Sequence, residues 1–233
     1  MAVHSSRSGK VLVGVAGWSY PDWAGIVYPS RRTRDFHELS YLAEYLDAIE
    51  INTSFYQPLR PRLAEQWLEH IAANLQFAFT AKLWQKFIHE STATAADELA
   101  VREGFTPLLA AGKLSAVLLQ FPHSFHYSQE SLLHLKALLE RFSDFPLVVE
   151  VRHNSWNRDE FYTLLQENQV GFCNLDKPQV GRTLGPSEHV TGPISYVRFH
   201  RRRQDAWFSD DPAVPRHERY NYLYDPPSAR SHR

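Results

Sequence analysis

The sequence holds one cysteine, Cys173, so no intramolecular disulfide forms and a reducing compartment fits. No apolar run approaches the length of a membrane span. Met1 to Lys10 is polar and lacks an apolar stretch behind a basic start, so no secretory leader is expected. A cytoplasmic location follows as the expectation. Net charge is −1, which gives no global electrostatic case for nucleic acid or an anionic membrane. No glycine-rich phosphate fingerprint follows the first apolar run, and no paired-cysteine zinc spacing, metalloprotease helix motif or nucleophile elbow occurs.

What is present is a globular composition: 43% hydrophobic, 22% charged and 13% aromatic residues over 233 positions. That length supports one sizeable core, so 1–233 is expected to be a single domain with a flexible start (1–10) and an irregular end (201–233). Short apolar runs recur: Val11–Ala16, Ala48–Tyr56, Gln76–Lys82, Ser115–Pro122, Leu147–Arg152, Val170–Asp176 and Ile194–His200. Between most of them lie segments with helical apolar spacing: 36–46, 62–73, 94–110, 128–142 and 157–168. The third is expected to be interrupted near Gly104 and Pro107, and Ser128 is a cap candidate for the fourth. Seven strands alternating with helices call for an α/β fold with a parallel sheet. At this length a TIM-type (β/α)8 barrel is expected over an open doubly wound sheet. An eighth strand and last helix have no counterpart after Tyr220–Tyr224. The expectation is an incomplete barrel whose gap is covered by a partner subunit or left as a destabilising edge, since unpaired edges are normally avoided.

Polar residues collect at the strand ends, where such folds place ligands. The fifth run changes from Leu147-Val148-Val149 to Glu150, Arg152, His153 and Trp156 within a few residues. Side-chain alternation puts Glu150 and Arg152 on one side of the strand. The corresponding positions elsewhere are Glu50 and Asn52, Lys82, Gln120, Asp176, and Arg198 with His200. Glu50, Glu150, Asp176 and His200 are candidates for catalysis and for holding a divalent metal, since oxygen and imidazole ligands suit metal-assisted chemistry. The alternative is a network of carboxylates paired with Lys82, Arg152 and Arg198, or a cradle of those cations for a phosphate or carboxylate ligand. Trp18, Phe55, Tyr56 and Trp156 are candidates for the pocket wall, against ordinary core packing. His153 is a further substrate-binding candidate, but it points away from Arg152 in an ideal strand, which better suits a supporting or helix-start role. Cys173, inside an apolar run, is expected to behave as a small buried hydrophobe. The charged run Arg201-Arg202-Arg203 is balanced by Asp205, Asp210 and Asp211 and is expected to be a solvated loop.

Taken in order, Gly17-Trp18-Ser19-Tyr20, Glu50 to Tyr56, Phe79 to Lys82 with His89-Glu90, Leu119 to Pro122, Glu150 to Trp156 and Tyr196 to His200 resemble the DUF72 (YecE-like) family. The resemblance runs from about residue 11 to residue 224. It implies a TIM barrel and a site at the strand ends, in a family loosely called sugar-isomerase-related and without an established activity. Arg201 stands where that family usually has glycine. Two classes of function remain open. One is an enzyme using acid–base chemistry, with or without a metal, on a small polar or anionic, carbohydrate- or phosphosugar-like substrate. The other is a binding module for such a ligand or a nucleic-acid end, including an inactive shortened copy.

Overall fold

The computed structural model describes residues 9–90, 92–177 and 181–200. Cα packing divides the chain into two compact units, Met1–Val117 and Leu118–Arg233. Strand order follows sequence order throughout.

In the first unit, β1 (Gly14–Ala16), β2 (Ala48–Ile51) and β3 (Ala78–Lys82) pair in parallel, with Ala16 opposite Glu50 and Glu50 opposite Thr80. The expected first strand begins three residues late. Val11 and Val13 are 80% and 61% exposed, so their apolar character marks no burial. The side chain of Asp47 instead accepts from the Val13 amide at 3.0 Å. Pairing starts at Gly14 because the strands meet closely there: a Cβ would lie 2.1 Å from the Ala48 carbonyl oxygen.

Three helices follow the strands: α1 (Glu38–Ala43), α2 (Pro61–His70) and α3 (Ala95–Ala110). Leu39, Leu42 and Ala43 give α1 a buried stripe, and Ala64 and Trp67 do the same for α2. The expected break in α3 does not occur. Gly104 is there for packing, since a Cβ would meet the Leu59 carbonyl oxygen at 2.4 Å. Pro107 lies in the last turn, where its missing N–H removes one hydrogen bond close to the helix end. A reciprocal cap between Thr94 and Asp97 fixes the other end of α3.

β4 (Leu114–Gln120) spans the division between the units. The second unit holds β5 (Leu147–Glu150), β6 (Gly171–Asp176) and β7 (Tyr196–Phe199). Val148 pairs with Gly171 and Cys173 with Tyr196, both in parallel. Every residue of β5 and β6 is buried, as expected of parallel strands covered on both faces. In β7, Val197 and Phe199 are exposed while Arg198 turns the other way. α4 (Gln129–Arg141) starts at the expected cap, with the Ser128 hydroxyl accepting from the Ser131 amide. α5 (Asp159–Glu167) follows β5.

No helix joins β6 to β7 among the described residues. The described part of that connection, from residue 181 on, is a loop anchored by Asn174. Its side-chain oxygen accepts from the His189 amide and the Ser187 hydroxyl, and its amide donates to the His189 carbonyl. Farther along, Leu184 N–H donates to the Arg152 carbonyl and Asn154 N–H to the Arg182 carbonyl. The loop therefore lies along the chain that leaves β5. The charged run at 201–211 and the tyrosine-rich segment at 220–224 lie outside the described residues.

Candidate functional site

Two clusters of strand-end polar residues form, one in each unit. In the first, Glu50 Oε1 and Lys82 Nζ lie 3.3 Å apart with side-chain exposures of 5% and 13%. Parallel pairing of β2 and β3 brings them together. Ser54 fixes the lysine's backbone: its hydroxyl accepts from Lys82 N–H and donates to the Ile51 carbonyl, each at 2.9 Å. The Lys82 ammonium also sits 5.9 Å from the centre of the Phe55 ring. Asn52 donates to the Tyr20 hydroxyl. The aromatic candidates here face different surroundings. Trp18 packs edge-on against Trp67 of α2, whereas Tyr56 is 67% exposed.

The second cluster is built around Glu150, which is fully buried at the end of β5. Arg152 Nε donates to Oε1 at 2.9 Å, Arg198 Nη1 to Oε2 at 2.6 Å, and the Gln120 amide reaches both oxygens at 3.0 Å. The Cys173 sulfur is 3.9 Å from Oε2. Burial opposes the charged form, but Arg198, Arg152, the Gln120 amide and His200 outweigh it and hold the carboxyl down at about 2. A carboxylate so held is a fixed anion near neutral pH, not a proton carrier.

Arg198 is 11% exposed and Arg152 36%. The first is an internal counter-ion, and the second keeps about a third of its side chain open to solvent. Lys177 directly follows β6, and its Nζ lies 3.5 Å from the Arg152 carbonyl oxygen. Burial and the neighbouring Arg152 charge bring its ammonium from 10.5 to about 8, against the pull of Glu150. His200 follows β7, and its N–H donates to the Asp176 carbonyl at 2.7 Å. Asp176 is itself buried.

Other candidates settle into structural positions. Trp156 is fully buried, donates to the Phe125 carbonyl at 2.7 Å and stacks on the Phe125 ring. It packs as a core side chain. His153 caps the short turn Asn154–Trp156 through Nδ1, which accepts from Ser155 N–H. Its ring lies against His126 and His123, at 4.0 and 5.0 Å between ring centres. Among the described residues, no group of three His, Cys, Asp or Glu side chains is arranged to hold a metal ion. Within the second unit, Glu150, Asp176 and His200 therefore form no such set.

Sequence reasoning did not single out Lys177, His123 or His126. The strand-end rule that selected Asp176 would have reached Lys177 one residue later. The two histidines flank Phe125, which is tied to Trp156, and carry no pattern of their own.

The family model for the "Protein of unknown function DUF72" matches residues 12–232. The chain belongs to the DUF72 family. The UPF0759 protein YunF of Bacillus subtilis (strain 168) is a relative, 28% identical over 228 residues, covering 92% of this chain and 79% of YunF. A crystal structure of a DUF72 family protein from Thermotoga maritima MSB8 matches with a TM-score of 0.77 at 28% identity, covering 94% of this chain and 84% of that one. A second, from Enterococcus faecalis V583, gives 0.75 at 27% identity, covering 92% and 79%. The α/β fold of this DUF72 chain is of the TIM type, with seven parallel strands and alternating helices among the described residues. No described helix is long and apolar enough to cross a membrane.

Proposed function

We propose that this DUF72 chain binds a small anionic ligand, carbohydrate- or phosphosugar-like, at the Glu150 cluster and acts on it as an enzyme. One observation carries the reading: Arg152, Arg198 and Lys177 gather about a single buried carboxylate. Glu150 holds Arg152 through Nε, which fixes the plane of the guanidinium. The Nη groups then match the paired oxygens of a carboxylate or phosphate. His200 is the proton-transfer group, because imidazole can both accept and donate a proton and its backbone N–H is fixed to the Asp176 carbonyl at the end of β6. Glu150 supports this chemistry by orientation alone. The kinship suggested with sugar isomerases agrees with such a substrate, and the lone, buried Cys173 suits the reducing cytoplasm.

Non-catalytic binding is the second reading, favoured by the saturation of Glu150. Titration calorimetry with inorganic phosphate and with a sugar phosphate tests the anion site. Arg152→Gln is expected to weaken binding about 10- to 100-fold, the equivalent of a charge-assisted hydrogen bond at about 1.5–3 kcal/mol. Equal affinity in the variant and the parent protein would overturn the reading. Turnover lost in His200→Gln with binding retained supports the enzyme over the binding module.

A further inference from the structure

We propose that the Lys177 amine is a nucleophile that forms a reversible imine with the carbonyl group of an anionic carbonyl compound held by Arg152. The inference rests on the anion-site reading and names its substrate class: a 2-oxo acid or a phosphorylated aldehyde or ketone. Lys177 Nζ lies 3.5 Å from the Arg152 backbone carbonyl oxygen, and the amine is near enough to the guanidinium for the Arg152 charge to disfavour its protonated form. The loop after β6 keeps them together, since Leu184 N–H donates to that same carbonyl at 2.9 Å. Arg152 is tied through Nε to Glu150, and 36% of its side chain stays exposed. A ligand whose anionic group rests on Arg152 would bring an adjacent carbonyl carbon toward the amine.

A lysine beside another cation and partly withdrawn from water is the arrangement that activates amines for this chemistry. With the ammonium at about 8, roughly a tenth of the amine is unprotonated at pH 7, far more than for an exposed lysine. In the reaction the nitrogen lone pair attacks the carbonyl carbon, and the carbonyl π electrons move to oxygen. Proton transfer from nitrogen to oxygen gives the carbinolamine. Departure of the hydroxyl as water, after it gains a proton from solvent, leaves the protonated imine. No oxidant or reductant takes part.

The test uses glyoxylate with sodium borohydride on the full chain, read by intact mass and peptide mapping. Hydride addition to the imine would leave one carboxymethyl group on Lys177, at least ten times more abundant than on any other lysine. That mark is expected to vanish in Lys177→Arg, with the far-UV circular dichroism unchanged. Labelling spread over surface lysines, or none at Lys177, would overturn the proposal. A second measurement needs no variant. Competitive acetylation across pH should place half-reaction of Lys177 near 8, and a profile like that of exposed lysines would count against it. Calorimetry with inorganic phosphate separates the two ideas. Phosphate binding without trapping removes the imine alone, and the absence of both removes the anion site with it.

Discussion

Replacing Glu150 by alanine should damage the fold more than any other single change in the cluster. The carboxylate is fully buried and accepts from Arg152, Arg198 and Gln120 at 2.6–3.0 Å. Its loss takes away an ion-pair partner of the Arg198 guanidinium, which is only 11% exposed. Breaking a buried pair from one side costs about 3–5 kcal/mol. Acid probes the same carboxylate through its proton affinity. The carboxyl is held at about 2 against an ordinary 4.5, which corresponds to about 3 kcal/mol. A depressed carboxyl keeps its contribution above the unfolded value. The unfolded chain takes up the proton first, so stability falls as pH drops from about 4.5 toward 2. Urea unfolding at pH 7 and pH 3 measures both effects. Glu150→Ala should lower the pH 7 stability by about 3–5 kcal/mol and flatten the acid dependence. Glu150→Ala combined with Arg198→Met should recover much of the loss, because an apolar replacement removes both buried charges. A single variant within about 1 kcal/mol of the parent, with its acid limb intact, would refute the reasoning.

Three further outcomes follow from other parts of the chain. His37 caps α1 through Nδ1, and its ring stacks on His70 at 3.4 Å between centres; burial and His70 lower its pKa, against Glu38. Stability should therefore fall as pH drops below about 6.5, and His37→Asn should keep the cap while reducing that dependence in urea midpoints. Gly104→Ala should destabilise by about 1–3 kcal/mol in thermal or urea unfolding, despite better helix propensity, because the added methyl meets the Leu59 backbone. The Cys173 thiol, fully buried in β6, should resist a thiol reagent in the native protein and react once unfolded.

Much of this architecture was legible because parallel strands leave a plain mark. Leu147-Val148-Val149 is apolar without alternation, and it is a strand buried on both faces. Alternation also placed Glu150 and Arg152 on one side, and their side chains meet at 2.9 Å. Hydropathy was less informative where exposure depends on neighbours. Val11 and Val13 look like strand residues but lie before the pairing begins at Gly14. Gly104 and Pro107 suggested a broken helix, yet one serves close packing and the other falls in the last turn. Trp156 stood among polar residues like a pocket aromatic, while its indole is satisfied by a backbone carbonyl in the core. The proton affinity of Glu150 depended on Arg198 and Gln120, 48 and 30 residues away, which no local pattern reports.

A crystal structure of the protein grown with tungstate, a tetrahedral oxyanion, would test the central claim most directly. The account predicts the oxyanion on the Arg152 guanidinium, beside Lys177, with the Arg152–Glu150 bond intact. Tungstate bound only elsewhere, with the Glu150 cluster empty, would contradict it.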